Sequence, residues 1–404
     1  MGAELNAELK CWGLVFVIYS TCFLYHVLIP QPKTDGYVWD KTAGKPLQYR
    51  NNAFHVLLAM LLTFYASVGS GYVEGTVLYD QYWRCFRAAF SYGVVFSVYL
   101  YFDGKNKLKR GEVDRNPFTP TITSTSPKTD HSEFNSRSAI EHFYCGIEFN
   151  PRMLGCDLKM FMYTVGAVML QLIVCSCLIK HISYSASGQQ PSQAMAVYVF
   201  CLTWFIFEYM YHEHVHLFTY DLFRERLGGK LIWGCFLFYP FFYEVGVWSL
   251  VDSHGENDLS ITASFGCIAL FLSGWILTRG ANLQKHAFRT NPGADSFQFL
   301  FINVEQRTLS DSGAGRKILV SGWWGLSRHS NYLGEIIQGI ALALPGLIQS
   351  NGTNFVPLLY PLYYVMLFVP RQMDDDVVCE GKYGAVLWGK YKKMVPYRIC
   401  PWVW

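Results

Sequence analysis

The feature that most constrains this chain is a series of apolar stretches, each long enough to cross a lipid bilayer as a helix. The hydrocarbon core of a bilayer is about 30 Å thick and requires about 20 apolar residues in helical conformation. Such stretches lie at 11–30, 54–75, 86–102, 158–179, 195–218, 230–251, 259–278, 332–350 and 354–370. The sequence therefore predicts an all-α, polytopic transmembrane helix bundle of about nine to ten spans.

Composition agrees with a membrane protein. Hydrophobic residues make up 51% of the 404 residues and charged residues only 16%, which is too apolar for an ordinary soluble enzyme. The net charge is +3 and the basic residues are spread over short loops, so no nucleic-acid partner is expected. The twelve cysteines form no CxxC pair and are expected to be free thiols rather than zinc ligands.

The distribution of Lys and Arg predicts the orientation of the chain. Basic residues accumulate in the cytoplasmic loops of membrane proteins. Twenty-eight of the 33 Lys and Arg residues fall in four loops and the C-terminal tail, which are 31–53, 103–157, 219–230, 279–330 and 371–404. These segments are predicted to be cytosolic, with the N-terminus lumenal, the first span retained and the glycosylation sequon at Asn351 on the lumenal side.

No polar linker is large enough to separate two domains. Residues 1–404 are therefore expected to form one membrane unit, in which 1–157 hold the N-terminal spans and a cytosolic loop and 158–404 hold the catalytic half. Two polar segments are long enough for functional loops, 103–157 and 279–330. The first contains a Ser/Thr/Pro-rich stretch at 116–130.

The first candidate site is basic. Lys285 and Arg289 are four residues apart, so they share one face if the span before them continues as a helix. Two cations in this arrangement suit an adenosine phosphate. The alternative is a cytosolic flank whose long side chains reach the membrane interface.

The second candidate site is the run Ser321–Glu335, which combines flat aromatic rings, polar donors and glycines. Aromatic rings can stack on a nicotinamide or adenine, Arg and His can donate to phosphate, and Asn can bond a carboxamide. The side chains concerned are Trp323, Trp324, Arg328, His329, Asn331 and Tyr332. An interfacial aromatic belt explains the tryptophans but not the polar cluster, so a functional site is favoured.

The third candidate follows the last apolar stretch, where Arg371 precedes three consecutive aspartates, Asp374 to Asp376. Such a group is normally a solvated cap. Arg371, however, is placed to hold an aspartate ionised or to bind phosphate. A carboxylate at the mouth of an apolar cavity has a raised pKa and can serve as an acid.

The fourth candidate lies at bilayer depth, where ionisable side chains are costly and therefore candidates for function. It comprises Glu208, His212, Glu213, His214 and His216. The spacing differs from an HExxH zinc helix, so no metal site is expected and the histidines are placed at the membrane edge.

At these residues the chain resembles the sterol reductase family, which includes Δ14-sterol reductases, 7-dehydrocholesterol reductases, fungal C-24(28) sterol reductases and the membrane domain of the lamin B receptor. The similarity runs in patches from about residue 45 onward. The residues of the Leu319–Gly334 motif favour the Δ14 branch. The motifs that carry it are Gly146–Arg152 with Asp157–Lys159, Arg279–Lys285, Leu319–Gly334, and Cys379–Gly384 with Val395–Pro401.

The resemblance implies a multi-pass protein of the endoplasmic reticulum membrane, with an NADPH pocket in the C-terminal half that opens to the cytosol and a sterol that enters from the membrane. Expected partners are the sterol, the bilayer and other enzymes of the sterol pathway. The residues implied to bind NADPH are Lys285, Arg289, Leu319, Trp324, Asn331, Tyr332, Arg371, Asp375, Cys379, Lys382, Tyr383 and Tyr391.

The resemblance also implies the chemistry. A C=C bond is protonated to a tertiary carbocation, which a nicotinamide hydride then quenches. Tyr243 and Asp375 match the family's proton-donating pair, with Arg371 supporting Asp375. Four positions depart from the family pattern, namely Cys235, Gly246, Glu335 and Asp374. Because two of them lie in the sterol half, reduction of another bond (Δ7 or C-24(28)) or of a steroid-like metabolite stays open.

Two alternatives from other classes remain. The Arg-His-x-x-Tyr-x-Gly pattern also resembles isoprenylcysteine carboxyl methyltransferases, although the motif at Asn150–Arg152 and the pair Lys285 and Arg289 are against it. A non-catalytic scaffold like the lamin B receptor is the other. The chain shows no long basic N-terminal region of the kind that holds chromatin, so an enzyme is favoured.

Overall fold

A computed structural model describes residues 2–40, 44–113, 137–184, 188, 190–219, 222, 225–253, 257–311 and 315–404. The Ser/Thr/Pro-rich stretch 116–130 lies outside the described residues. The described part is mainly helical, with four small two-stranded antiparallel sheets.

The helices are numbered in chain order. They are α1 Gly2–Leu28, α2 Ala53–Gly69, α3 Val77–Asp80, α4 Tyr82–Lys109, α5 Ala139–Cys145, α6 Leu158–Ser183, α7 Gln193–Tyr211, α8 Glu213–His216, α9 Gly229–Trp233, α10 Tyr239–Phe242, α11 Val245–Trp248, α12 Ile261–Thr290, α13 Trp323–Leu326, α14 Ser330–Gln349, α15 Leu359–Tyr383 and α16 Ala385–Met394. A π-helix, Gly234–Phe238, joins α9 to α10, and a 3₁₀ turn, Val356–Leu358, precedes α15.

The strands form four hairpins. They are β1 Lys33–Asp40 with β2 Lys45–Arg50, β3 Arg152–Met153 with β4 Cys156–Asp157, β5 Ser296–Phe299 with β6 Ile302–Glu305, and β7 Thr308–Ser310 with β8 Lys317–Leu319.

The predicted membrane character is confirmed. Within the described ranges, seven helical stretches are long and apolar enough to cross a membrane. They are Glu4–Leu28, Tyr82–Lys109, Leu158–Ser183, Gln193–Tyr211, Gly229–Trp248, Ile261–Thr290 and Ser330–Gln349. The stretch predicted at 54–75 forms the shorter helix α2, and the one at 354–370 forms the first half of α15. The chain is thus a multi-pass membrane protein.

The chain divides into two compact units. The first comprises Met1–Pro191 and Leu202–Asp252, and the second Ser192–Cys201 and Ser253–Trp404. The expected division into residues 1–157 and 158–404 of one membrane unit stays a prediction.

The first unit is organised around α6, which is buried along most of its length. Helix α1 packs against both α2 and α4; α1 and α2 contact α6, and α4 contacts the π-helix beside it. Gly166 lets α6 approach the π-helix closely, because a Cβ there would lie 2.7 Å from the backbone oxygen of Cys235. A helix surrounded by apolar side chains on all sides is expected to be apolar throughout, and α6 fits this pattern.

The family motif around Arg152 ties loops to the start of α6. The Arg152 guanidinium donates to the Gln48 backbone oxygen at 2.8 Å and lies 5.2 Å from the centre of the Tyr49 ring. Asp157 caps α6 by accepting from the backbone amides of Lys159 and Met160 at 3.0 and 3.2 Å. Two orphan donors of the helix are thereby satisfied, which gives the motif a structural role.

In the second unit, α12 crosses α14 at unusually short range. A Cβ placed on Gly334 would lie 2.3 Å from the Thr278 hydroxyl oxygen and 2.5 Å from the Gly274 carbonyl oxygen. Below 3.0 Å no side-chain carbon fits without displacement of the backbone. Gly274 and Gly334 therefore set the distance between α12, which carries the first candidate site, and α14, which carries part of the second.

We expect Gly334→Ala to destabilise the protein by about 1–3 kcal/mol, because the added methyl group overpacks this crossing. A suitable control is Gly266→Ala in α12, the other helix of this crossing, where a Cβ meets no atom within 4 Å. That change should be neutral or stabilising, because alanine is the better helix former. Thermal denaturation in detergent would check both, and equal midpoints for the two variants would contradict the expectation.

Candidate functional site

The basic candidate lies on a helix that continues well past its apolar stretch. Helix α12 extends to Thr290, so Lys285 and Arg289 do share a helical segment, as the spacing predicted. The Lys285 ammonium lies 5.0 Å from the centre of the Trp324 ring. This contact joins the first candidate site to the second.

The segment before α13 is fastened to α12 through Gln284. The Gln284 amide donates to the Ser321 carbonyl oxygen at 3.2 Å and accepts from the Trp323 backbone amide at 3.2 Å. Between them, Gly322 has a φ of 60°, a left-handed conformation that favours glycine. The Trp324 indole donates to the Ala281 carbonyl oxygen at 2.9 Å, so its ring is held against α12.

A hydrogen bond joins the second candidate site to the third. The Tyr332 hydroxyl donates to Oδ2 of Asp375 at 2.7 Å, and Nδ1 of His329 lies 3.9 Å from the same oxygen. His329 stacks on Tyr332 with a centroid distance of 4.8 Å, and Tyr332 stacks on Phe368 at 4.4 Å. Asp375 is therefore held at the edge of a column of parallel rings.

His329 reports the electrostatic character of the site. Burial, together with the surrounding cations, lowers its pKa to about 3. Those cations are Lys285, Arg328, Arg371 and Arg398. The imidazole is thus neutral at physiological pH. The sequence suggested His329 as a phosphate donor, and here its position in the ring column is the more evident role.

Cys379 lies in the same environment. Burial raises its pKa to about 11, with Asp375 acting in the same direction and three cations opposing it. The cations are Lys382, Lys285 and Arg289. Its thiol is therefore protonated at neutral pH, as is typical of a cysteine that lines a site without reacting. As expected, all twelve cysteines, which fall within the described residues, are free thiols.

Helix α16, in the C-terminal tail, contacts the site through Tyr391. Tyr391 is buried, which raises its pKa, and its hydroxyl donates to the Trp324 carbonyl oxygen at 3.1 Å. The Tyr383 and Trp388 rings stack at 6.1 Å, and Lys382 lies 5.2 Å from the centre of the Tyr383 ring. Cys379, Tyr383 and Tyr391, which the resemblance names, thus belong to one apolar cluster.

Arg328 has a partner that the sequence did not predict. Its Nη2 lies 3.7 Å from Oδ2 of Asp376, and Nε of Arg398 lies 3.8 Å from the same oxygen. The Arg328 side chain is only 5% exposed. A buried guanidinium needs a counter-charge, so Arg328 is better explained as an anchor for Asp376 than as a phosphate donor.

One implied cofactor contact is supported by an unsatisfied atom. Oδ1 of Asn331 is buried and accepts no hydrogen bond from any residue that the structure describes. Seven other side-chain amide oxygens in the described ranges share this state, so the atom agrees with a ligand here without identifying one. A ligand whose carboxamide donates a hydrogen bond fits this position. If that ligand also carries phosphates, as the implied cofactor does, the surrounding basic side chains fit them.

The pH dependence of stability tests this description of His329. Because the folded pKa lies near 3 and the ordinary value is 6.5, the unfolded state binds more protons between these pH values. The free energy of unfolding should therefore fall as the pH drops below about 6.5, by about 2 kcal/mol at pH 5 from this residue alone. His329→Phe keeps a ring for stacking and removes the titration. Its melting temperature should decline less than that of the unchanged protein between pH 7.5 and 5, and parallel declines would contradict the assignment.

The remaining predicted residues fall as follows. Leu319 is buried in β8, and Glu335 is half-buried in α14, whereas Asp374 is exposed, unlike its neighbour Asp375. Tyr243 belongs to the first unit, directly after α10, with its ring centroid 4.9 Å from that of Tyr239. The roles assigned to these residues stay predictions.

The stretch that carries Tyr243 is broken into short helices. Pro240 lacks a backbone N–H and its ring clashes with the carbonyl four residues earlier, and the chain forms the π-helix Gly234–Phe238 at that position. Such π turns frequently occur at functional sites. Both sterol-half departures, Cys235 and Gly246, are buried in this stretch.

The fourth candidate site, at the end of α7, has structural contacts. Glu213 is buried and accepts a hydrogen bond from the Ala53 backbone amide at 2.8 Å. His216 lies against Tyr209, with ring centroids 3.8 Å apart. Across the described ranges, no three His, Cys, Asp or Glu side chains are grouped as metal ligands.

Two features of the site were missed by the sequence analysis. Phe368 and Tyr364, which stack at 5.2 Å, extend the ring column below Tyr332. Their four-residue spacing, repeated at Tyr360, was the available signal. Gln284, the link between α12 and the Ser321 segment, gave no signal beyond its place in the Arg279–Lys285 motif.

The fold and the site together define a multi-pass helical membrane protein with a basic, aromatic-lined site on its last helices. Comparison with known proteins is more specific. The chain belongs to the Ergosterol biosynthesis ERG4/ERG24 family, whose model matches residues 2–404. The resemblance to sterol reductases is thereby confirmed, and the methyltransferase alternative is not supported.

Three relatives illustrate the family. The Δ14-sterol reductase of Arabidopsis thaliana is 31% identical over 362 residues, which cover 89% of this chain and 88% of the relative. The Δ14-sterol reductase of Methylotuvimicrobium alcaliphilum is 29% identical over 95% of this chain and 82% of its own length. The probable 7-dehydrocholesterol reductase of Acanthamoeba polyphaga mimivirus is 27% identical over 90% and 74%.

Proposed function

We propose that this chain is an NADPH-dependent sterol reductase that reduces the Δ14 carbon–carbon double bond of a sterol intermediate. The names of its relatives support a sterol reductase, and those named for the Δ14 bond include the Arabidopsis and bacterial proteins. The alternative is reduction of another sterol double bond, which the 7-dehydrocholesterol reductase relative and the altered positions Cys235 and Gly246 favour.

The observation that carries the cofactor proposal is an excess of basic side chains around few carboxylates. Six cations share the environments of His329 and Cys379 with Asp375, and Asp376 lies against two of them. They are Lys285, Arg289, Arg328, Arg371, Lys382 and Arg398. A site with this balance favours a polyanion, and the phosphates of NADPH would satisfy it.

In this proposal Lys285 and Arg289 hold the adenosine phosphate, Trp324 offers a ring face and Asn331 accepts from the carboxamide. The residues Leu319, Tyr332, Arg371, Cys379, Lys382, Tyr383 and Tyr391 complete the lining. When bound, NADPH supplies the hydride. The neutral thiol of Cys379 and the buried rings exclude water from the site and do not react with the substrate.

The protein's own chemical task is to deliver a proton to an unactivated alkene. We assign this to Tyr243 and Asp375. The Tyr332 hydroxyl donates to Oδ2 of Asp375 and fixes the orientation of the carboxyl group, which Arg371 supports. A positioned acid of this kind contributes typically about 10²–10⁴-fold to a rate.

The family and the charge distribution support a cellular location and an orientation for the protein. The protein is proposed to reside in the endoplasmic reticulum membrane with a cytosolic C-terminus, because the basic residues concentrate in the loops and tail assigned to one side. The sterol would reach the site from the bilayer, and other enzymes of sterol synthesis would supply and remove it.

Removing the phosphate clamp should change cofactor preference. We expect Lys285→Ala and Arg289→Ala each to raise the KM for NADPH about 10–100-fold, which corresponds to the loss of a hydrogen bond to a charged group. The KM for NADH, which lacks that phosphate, should change much less and serves as the internal control. A parallel rise for both cofactors would contradict the assignment.

A direct assay tests the proposed reaction. Purified protein in lipid vesicles would be given a Δ8,14-sterol and NADPH carrying deuterium at the transferred position, and the product analysed by mass spectrometry. The expected product has gained one proton and one deuterium and has lost the Δ14 bond. Unchanged Δ8,14-sterol, together with reduction of a Δ7 or C-24(28) substrate, would favour the alternative.

A further inference from the structure

The hairpin β5–β6 ends in an exposed apolar tip that the cofactor site does not explain. Phe299 pairs with Ile302, so Leu300 and Phe301 form a two-residue turn. Phe301 is 91% exposed, Leu300 49% and Ile302 40%. Three adjacent apolar side chains at a hairpin tip form an unusual surface for a loop predicted to face the cytosol.

The residues of this turn are unusual for a hairpin that is exposed to water. Two-residue hairpin turns in soluble proteins favour Asn-Gly and related pairs, because the backbone must adopt positive φ. Leu300 has a φ of 53° and carries a branched apolar side chain there. Neither Leu300 nor Phe301 offers the hydrogen bonds that turn residues give to the backbone, so solvation in water does not account for this pair.

The position of the hairpin along α12 indicates its depth. Phe299 lies against Trp275, with ring centroids 5.8 Å apart. Trp275 is inside the apolar stretch 259–278, one helical turn before Arg279, the first charged residue after it. Because β5 follows α12 through a short turn, the hairpin runs back along the helix for about 20 Å from Thr290, to the level where a tryptophan marks the membrane interface.

We infer that the tip Leu300–Ile302 inserts into the membrane interface beside α12, so that its occupant is the lipid bilayer. The depth is the boundary between headgroups and acyl chains, because an isolated two-stranded hairpin has unpaired backbone groups that the hydrocarbon core does not tolerate. Apolar side chains at this boundary gain burial while the backbone stays hydrated.

The anchored hairpin is also fastened to the Ser321 segment. The Ser321 hydroxyl donates to the Glu305 carbonyl oxygen at 2.5 Å and accepts from the Arg307 backbone amide at 2.9 Å. A Cβ on Gly322 would lie 2.5 Å from a Val304 methyl carbon. The hairpin therefore links the bilayer surface to the segment that precedes Trp324.

Photo-cross-linking tests the insertion independently of enzymatic activity. Three full-length variants would each carry p-benzoylphenylalanine in place of one residue, Phe301, Phe265 or Glu305, and be irradiated in phosphatidylcholine vesicles. Phe265 is 68% exposed within the stretch 259–278 and serves as the lipid-facing reference, and Glu305 is exposed at the base of the same hairpin.

We expect intact-mass spectrometry to show a phospholipid adduct at position 301 with a yield within about twofold of that at 265, and at least fivefold above that at 305. A yield at 301 no greater than at 305 would overturn the inference. So would a covalent dimer formed through position 301 in place of the lipid adduct, because the occupant would then be a second copy of the chain.

Discussion

Asp375→Asn should lower kcat for sterol reduction by about 10²–10⁴-fold, the range for loss of a positioned general acid. The amide is nearly the same size and can still accept a hydrogen bond from Tyr332, which holds Oδ2 of Asp375 at 2.7 Å. It cannot be protonated as a carboxyl group can. The loss should therefore fall on the chemical step, measured as single-turnover reduction with saturating NADPH.

The aspartate next to it provides a matched control. Asp374→Asn makes the same chemical change one residue away, at an exposed side chain. Its kcat should stay within about twofold of the unchanged protein, because exposed carboxylates outside the site contribute little. Equal losses in the two variants would mean that negative charge in the second half of α15 matters, and that Asp375 has no specific chemical role.

Tyr243→Phe is expected to lower kcat by about 10²-fold or more while the KM for NADPH changes little. The substitution removes only the phenol oxygen, so the ring contacts with Tyr239 and Phe238 are retained. If the phenol delivers a proton to the alkene, its removal acts on the transition state and not on cofactor binding.

Tyr239→Phe is the corresponding control, because Tyr239 lies one helical turn earlier and contacts the Tyr243 ring. Its activity should remain near that of the unchanged protein. If Tyr243→Phe retains more than half of the activity, the proton must come from another group, and the assignment based on family resemblance is wrong at this position.

The sequence predicted the long helices well where one apolar pattern runs without interruption. Helix α6 agrees closely with the predicted span 158–179, and α12 continues through Lys285 as the four-residue spacing required. Local signals suffice there because every residue in a span must satisfy its own backbone hydrogen bonds. The stretch 230–251 was predicted as one helix, and the π turn before Pro240 divides it.

The candidate site was predicted in its members and less well in its internal contacts. Tyr332, Asp375 and Trp324 were all named from motifs, and the structure links each of them to another member. The pairing of Arg328, in the connection before α14, with Asp376 in α15 joins two segments that are distant in sequence. A single sequence contains no information on such tertiary distances. Nothing in it therefore indicated the ion pair with Asp376 as an alternative to the phosphate role suggested for Arg328.

Complementation in yeast asks whether this chain reduces the Δ14 bond of a sterol in a living cell. The chain would be expressed in a yeast strain that lacks its own Δ14-sterol reductase, beside the Tyr243→Phe and Asp375→Asn variants, and the sterols profiled by mass spectrometry. We expect Δ14-unsaturated sterols to disappear with the unchanged chain and to persist with both variants. Persistence of those sterols with the unchanged chain, at expression confirmed in the membrane fraction, would contradict this expectation.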